Sequence, residues 1–256
     1  MEKQPNFNVQ HEVFSSERIE DMVILRLKEN LLRHATDLSL RDTILKFIDT
    51  VSTDDSVKVL LIMGAPSKSG REEYIEFYYE VLRSKLDRNA VHRMYNIVDQ
   101  FILRLVDLNK IVLHADSGRI ISLFLNVSLA CDLRIIADNT VFQNSYLELG
   151  LVPKGGGAFF LSKMLGTRKA MEIMLLDEDI DALKAFELGI VDKVVPLDDL
   201  EKTALDTAQR FSRLPASSLS GVKKLLKFTL KDLANYLEFE NEELLKIVRY
   251  SDVSGS

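Results

Sequence analysis

The sequence predicts an α/β fold in which a strand–helix core is followed by a helical C-terminal region. Three observations carry this. "MVILRL" (22–27) and "VKVLLIMG" (57–64) are short runs of Val, Ile and Leu, of strand length and ended by turn signals. The stretch between them has helical spacing, and a helix of that length between two strands favours parallel βαβ geometry. Beyond "GLVPKGGG" (150–157) the apolar pattern turns helical and stays so, with one strand candidate as the exception.

Taken in order, "DLSLRDTILKFIDTVS" (37–52) starts on Asp37 as an N-cap and carries Leu40, Ile44, Phe47, Ile48 and Val51 on one face. From Glu72 to Leu108 the chain reads as mostly helical, with few breakers. "KIVLHADS" (110–117) is a strand, and "SGRIISLFLNVSLACD" (117–132) is a loop that opens a buried helix. "CDLRIIAD" (131–138) is a strand and "VFQNSYLEL" (141–149) a shorter one. "AFFLSKML" (158–165), "RKAMEIML" (168–175) and "DALKAFELG" (181–189) read as helices, and "IVDKVVP" (190–196) as the late strand. "LEKTALDTAQRFS" (200–212) and "ANYLEFENEELLKIV" (234–248) are helices with long apolar faces, and the tail "YSDVSGS" is expected to fray.

Composition narrows the classes. With 256 residues, 46% of them hydrophobic, the chain can bury a full core. No apolar run is long enough to span a bilayer and "MEKQPNFNVQHEVF" is too polar for a secretory signal, so a cytoplasmic location and no membrane partner are expected. The single Cys131 excludes an intramolecular disulfide framework, and with only 4 histidines no zinc or other metal site is expected. A net charge of -6 argues against a nucleic-acid partner, while leaving room for a local site for a small anion.

The run "GTRKAMEIMLLDEDIDALKAFELGIVDKVVP" resembles the helical signature of the crotonase (enoyl-CoA hydratase/isomerase) superfamily, through Gly166, Ala170, Leu176-Asp177, Ala182, Ala185, Gly189, Ile190 and Val191. "KIVLHADSG", "ACDLRIIADNTVF" and "LGLVP" are similar to that family's preceding elements in order and spacing. The resemblance implies a crotonase-like ββα spiral core over 1–195 and a C-terminal helical trimerisation region over 196–256, assembled as a homotrimer or a dimer of trimers. It also implies an acyl-CoA thioester as partner, with coenzyme A entering as part of the substrate and no separate cofactor.

Members of that family hold the thioester oxygen with two backbone N–H groups, because negative charge develops on this oxygen in the transition state. Aligned without gaps, the two oxyanion donors fall on Glu73 in "GREEYIEF" and Leu123 in "SLF". The family usually has Ala-Gly-Ala-Asp at the first and successive glycines at the second, whereas Leu123 and Phe124 bring bulk. The two glutamates that hydratases use fall on Asn126 and Tyr146, and an acid found in some relatives falls on Lys154. An amide and a phenol are poor substitutes for a carboxylate pair.

Three functions therefore stand open. One is a divergent acyl-CoA enzyme, running enolate-type chemistry other than hydration, with Tyr146, Asn126 and Lys154 as its catalytic groups. A second is a non-catalytic homologue that binds an acyl-thioester or a partner protein. The third is an ordinary hydratase or isomerase in which Glu148, on the same face as Tyr146 if the segment is extended, supplies the acid. Of the remaining features, Gly155–Gly157 allow tight packing or an anion at the next helix's start, and His114 and Asp116 share a strand face. "KSGR" (68–71) and "KKLLK" (223–227) read as solvated basic runs.

Overall fold

Alternation of apolar side chains along the central strands decides the architecture, which a computed structural model describes for residues 5–28, 31, 38–65, 71–79, 88–144, 146–176 and 178–253. β1 (Val9–Gln10), β2 (Phe14–Ile19) and β3 (Met22–Leu27) form an antiparallel edge. α1 (Leu38–Thr53) returns the chain so that β4 (Val59–Met63) runs parallel to β3, with Met22 opposite Val59. α2 (Arg71–Phe77) and α3 (Arg88–Asp107) precede β5 (Ile111–Asp116), which lies parallel to β4. β6 (Arg119–Ile121) leads directly into α4 (Ser122–Ser128), followed by β7 (Leu133–Ala137) and β8 (Val141–Gln143). Then come α5 (Gly157–Leu165), α6 (Thr167–Leu175), β9 (Ile180–Asp181), α7 (Ala182–Glu187) and β10 (Lys193–Val195). The chain continues through α8 (Leu200–Ser212), α9 (Ala216–Lys227) and α10 (Leu233–Val253). Seven strands form one sheet in the order β1-β2-β3-β4-β5-β7-β10, and β6-β8-β9 form a smaller one.

Successive strand residues point to opposite faces, so the large sheet feeds two cores. Val23, Leu25, Leu60, Ile62, Val112 and Ile136 pack against α1, α3 and α4 through residues such as Ile48, Ile102 and Leu125. Ile24, Leu61, Leu113 and Ile135 face the other way and are closed by Leu200, Ala204 and Ala208 of α8. Each fully buried Leu or Ile contributes about 1.5–3 kcal/mol. Ala204 and Ala208 lie one turn apart, and their small side chains let α8 lie close on the sheet. Residues after 195 thus pack on this chain's own core: α8 on the sheet, and α10 through Leu233, Leu237 and Leu244.

The structure departs from the sequence reading in places. The antiparallel edge β1–β2 and the short β6 are additional strands. "VFQNSYLEL" is a strand only to Gln143. Leu151 N–H donates to Tyr146 O at 2.7 Å and Gly150 N–H to Leu147 O at 2.9 Å, so the chain turns there. Gly150 has φ +67°, which a turn of this kind admits at glycine without strain. Because the segment is not extended, Tyr146 and Glu148 do not share a face: Tyr146 is buried and Glu148 exposed. α10 runs on through residues 250–253 of the tail. The Asp37 cap, Asp177 and residues 68–70 of "KSGR" lie outside the described residues.

Arg134 on β7 fixes the C-terminal end of α4. Its buried guanidinium donates to Ile190 O at 2.7 Å and to Cys131 O at 2.9 Å, with Ser128 O at 3.3 Å. Ser128 O also accepts from Cys131 N–H at 2.9 Å, and the planar guanidinium fork serves the three carbonyls at once. Replacing Arg134 by Ala should cost about 3 kcal/mol, because Ile190 O and Cys131 O lose the guanidinium in a buried site, while Asp192 keeps only the backbone N–H of residue 134. Arg134→Lys should recover only part of that, since one ammonium cannot reproduce the fork. The shift in urea midpoint of the two variants measures both.

Candidate functional site

The two donor positions lie at the heads of neighbouring helices. Glu73 is the third residue of α2 and Leu123 the second of α4. The first four N–H groups of a helix have no partner within it, so both backbones belong to the set of donors open to an outside acceptor. α2 packs against β6, and β6 runs straight into α4, which brings the two first turns into one region. Ile121 precedes α4 in extended conformation and offers no side-chain cap to those N–H groups. Leu123 and Phe124 are half-buried beside a cluster that contains Phe77, Tyr78, Tyr95, Tyr146 and Leu151.

Asn126 is buried on α4, and its amide donates to Lys154 O at 2.9 Å. It fills the space over the glycine run. A Cβ at Gly157 would overlap Asn126 Oδ1, so no larger residue fits there. At Gly155, with φ +92°, an added Cβ would meet Asn126 Cβ at 3.3 Å and Leu123 Cδ1 at 3.5 Å. The packing expected of Gly155–Gly157 is therefore packing against α4. Tyr146 is buried too, and its hydroxyl donates to Met174 O of α6 at 2.9 Å. Both residues at the acid positions thus have a polar hydrogen committed to a backbone carbonyl.

Lys154 does not stand in water. It is 7% exposed, and its ammonium contacts the carboxylate of Asp99 on α3 and, at 3.3 Å, Glu240 Oε1 on α10. The Tyr95 ring centroid lies 5.8 Å from the ammonium. Glu240 also accepts from Gly155 N–H at 2.8 Å and, through Oε2, from Gly156 N–H at 3.1 Å. Asn241 Nδ2 donates to Asp99 Oδ2 at 2.7 Å. The anion at the glycine run is thus the protein's own. Burial raises the Glu240 carboxyl above the ordinary glutamate range, against the pull of Lys154 and Gly155 N–H.

Asp99 and Glu240 were not singled out by the sequence reading, yet a signal exists. Asp99 interrupts an apolar helical stripe between Tyr95 and Ile102, and Glu240 does so between Leu237 and Leu244. An acid at a core position needs a partner, and each has one.

The remaining candidates separate. Glu148 is exposed and ion-paired with Arg71 at the start of α2, with Nε to Oε2 at 2.8 Å. His114 Nε2 lies 3.7 Å from Asp116 Oδ2, and both line a small cavity of about 30 Å3 beside α4, with room for one water. Lys223 of "KKLLK" is buried rather than solvated, donating to Lys110 O at 2.9 Å and Asp132 Oδ2 at 2.6 Å. Among the described residues, no three His, Cys, Asp or Glu side chains gather to hold a metal ion, and no helix is long and apolar enough to cross a membrane.

The arrangement offers helix-head N–H groups to an outside acceptor and, beside α4, a buried lysine–carboxylate cluster. They do not supply the two free carboxylates that water addition requires. Comparison with known proteins agrees on the scaffold. The enoyl-CoA hydratase from Bacillus halodurans superposes with a TM-score of 0.79, covering 93% of this chain and 95% of that one at 19% identity, a likeness of fold. A monofunctional enoyl CoA isomerase from M. smegmatis superposes with a TM-score of 0.67 at 26% identity, covering 84% of this chain and 92% of that one. The trans-2-decenoyl-[acyl-carrier-protein] isomerase of Streptococcus mutans serotype c is 27% identical over 223 residues, 86% of this chain and 82% of that protein. The family model described as enoyl-CoA hydratase/isomerase matches residues 26–254, and the chain belongs to that family.

Proposed function

We propose that this protein acts on an acyl-CoA thioester through an oxyanion hole formed by the backbone N–H groups of Glu73 and Leu123, by enolate-type chemistry other than hydration. One observation carries the reading. The two acid positions hold Asn126 and Tyr146, each with a polar hydrogen committed to a backbone carbonyl, while the donor positions keep their places in the first turns of α2 and α4. An amide exchanges no proton near neutral pH, and a free phenol has a pKa of about 10, so neither activates water. Backbone donors need no particular side chain, and each is worth about 3–4 kcal/mol to a developing oxyanion. Moving a double bond dispenses with activated water but still needs a base that takes the proton from one carbon and gives it back at another, a role this reading assigns to Lys154. A proton leaves one carbon, its electron pair is held through the thioester oxygen, and a proton returns at another carbon. Two of the similar proteins are isomerases by name, which supports this form of the chemistry.

In this reading Lys154, with Tyr146 and Asn126 beside it, orients the acyl end, and coenzyme A enters as part of the substrate without a further cofactor. The protein works in the cytoplasm as a homotrimer or dimer of trimers, residues 1–195 forming the core and 196–256 the assembling region. Support for assembly comes from the exposed apolar residues of and just after α9, Val222, Leu225, Leu226 and Phe228. A second reading, a non-catalytic binder of acyl-thioesters, is favoured by the bulk of Leu123 and Phe124 at the donor turn. Use of Glu148 as the acid would require it to leave Arg71 and turn inward.

Three outcomes are expected. Purified protein should not hydrate crotonyl-CoA; turnover that Glu148→Gln abolishes would establish the Glu148 reading instead. In D2O the protein should exchange the α-protons of a bound acyl-CoA, followed by mass spectrometry. Leu123→Pro, tolerated in a first helical turn, should slow this about 100-fold by removing the donor. Stabilisation by about 2.7 kcal/mol at 100 times the dissociation constant, without exchange, would instead identify a binder. Light scattering at micromolar concentration should give the mass of a trimer or hexamer.

A further inference from the structure

The helix that closes the second core, α8, ends beside a pocket of about 440 Å3. Leu133 at the start of β7 lines it, with Thr207, Arg210, Phe211, Arg213 and Leu214 from the end of α8 and the residues after it. Its place in the fold keeps it apart from the donor turns. Leu133 and Phe211 pack on the core closed by α8, on the sheet face turned away from α3 and α4. Leu133 pairs with Leu113 within β5, whereas Leu123 follows the far end of that strand by way of β6.

The charge of the lining is one-sided. Arg210 and Arg213 are exposed, and among the described residues neither guanidinium meets a carboxylate or a hydrogen-bond acceptor. Asp206, one turn before Arg210 on α8, forms no ion pair with it. The end of α8 does not occupy them either. Basic side chains near a helix C-terminus commonly serve its last carbonyls. Here Arg213 N–H donates to Gln209 O at 3.3 Å, Leu214 N–H to Phe211 O at 2.9 Å, and the Lys58 ammonium to Ser212 O at 2.6 Å. Thr207 Oγ1 donates to Thr203 O at 2.7 Å, so the two guanidiniums hold the uncommitted polar hydrogens among the lining side chains. The rest is apolar: Leu214 is 46% exposed, and Leu133 and Phe211 are half-buried.

We propose that this pocket binds a small organic anion, with its oxyanion head on Arg210 and Arg213 and its apolar body on Leu133, Phe211 and Leu214.

A guanidinium donates and never accepts, and its planar fork fits two oxygens of a carboxylate or a phosphate. A cationic head would meet two positive charges, and a neutral one would forgo the charge-assisted bonds. The volume falls within the roughly 300–1,000 Å3 of small-molecule sites, so a bare ion would leave most of it to water. Removing the exposed apolar surface of Leu133, Phe211 and Leu214 from water favours an anion that carries a hydrocarbon part. The site is remote from the oxyanion hole, and the proposal stands independently of that reading.

Titration calorimetry of the wild-type protein with hexanoate, phenyl phosphate, hexanamide and inorganic phosphate tests it. Hexanoate and phenyl phosphate carry the two kinds of head, and the tighter of them identifies which the arginines hold. That probe should bind with a Kd of about 1 mM or tighter. Hexanamide, without the charge, and inorganic phosphate, without the apolar body, should each bind about 10-fold more weakly than that probe. The double variant Arg210→Gln, Arg213→Gln changes exposed side chains, so its urea midpoint should match wild type while its affinity for the tighter probe falls about 10-fold or more. Unchanged affinity in that variant would put the binding elsewhere, the acyl site included, and would overturn the proposal. So would failure of both organic anions to bind, or a hexanamide or inorganic phosphate affinity equal to that of the tighter probe.

Discussion

A lysine ammonium taken out of water must be matched by negative charge, and in this protein that requirement joins three distant parts of the chain. Lys154 follows the turn after β8, Asp99 lies on α3 and Glu240 on α10. The helices do not merely pass one another. The Glu240 carboxylate reaches past the ammonium to two backbone N–H groups at the head of α5, so the last helix is hydrogen-bonded to the loop that contacts α4. Removing Lys154 would take the ammonium from both carboxylates in a medium where an unpaired charge is expensive. Packing of Leu233, Leu237 and Leu244 supplies area, while the charges supply register, since only one rotation of α10 brings Glu240 onto Gly155.

The same loop explains how bulk is accommodated near the donor turn. Leu123, Phe124 and Asn126 all project from a helix of 7 residues, where small residues would leave the backbone open. The room comes from the opposite side. Gly155 and Gly157 carry no Cβ, and at Gly157 one would overlap the Asn126 amide. Large side chains on α4 and bare backbone at 155–157 are two halves of one packing solution. Substitution on either side alone would create a cavity or a clash.

Much of the fold was legible because it rests on local patterns. Runs such as "VKVLLIMG" have the length and composition of buried strands, and the helical spacing of Phe47, Ile48 and Val51 marks the crossover. What was not legible depends on partners far along the chain. β2 alternates weakly because the polar Ser16 stands at a buried position, its hydroxyl donating to Phe7 O, and its pairing with β3 comes from an adjacent tight turn. The turn at 146–150 interrupts a stretch whose composition suits a strand. At the site, Asn126, Tyr146 and Lys154 could be placed by order and spacing. Their partners could not, since Met174, Asp99 and Glu240 are distant in sequence and marked only by polar residues on apolar stripes.

This division has a chemical consequence. A backbone N–H is supplied by every residue except proline, so a donor position at a helix head survives almost any change of side chain, provided the helix keeps its place. A side-chain acid is different, since one substitution removes it and whatever polar group stands there must find its own partner. Asn126 spends its amide on Lys154 O, and Tyr146 its hydroxyl on Met174 O, because a buried polar hydrogen without an acceptor is costly. Those bonds bind the loop, α4 and α6 together. A carboxylate at either position would leave its carbonyl without that donor, so a carboxylate pair would require both bonds to be given up.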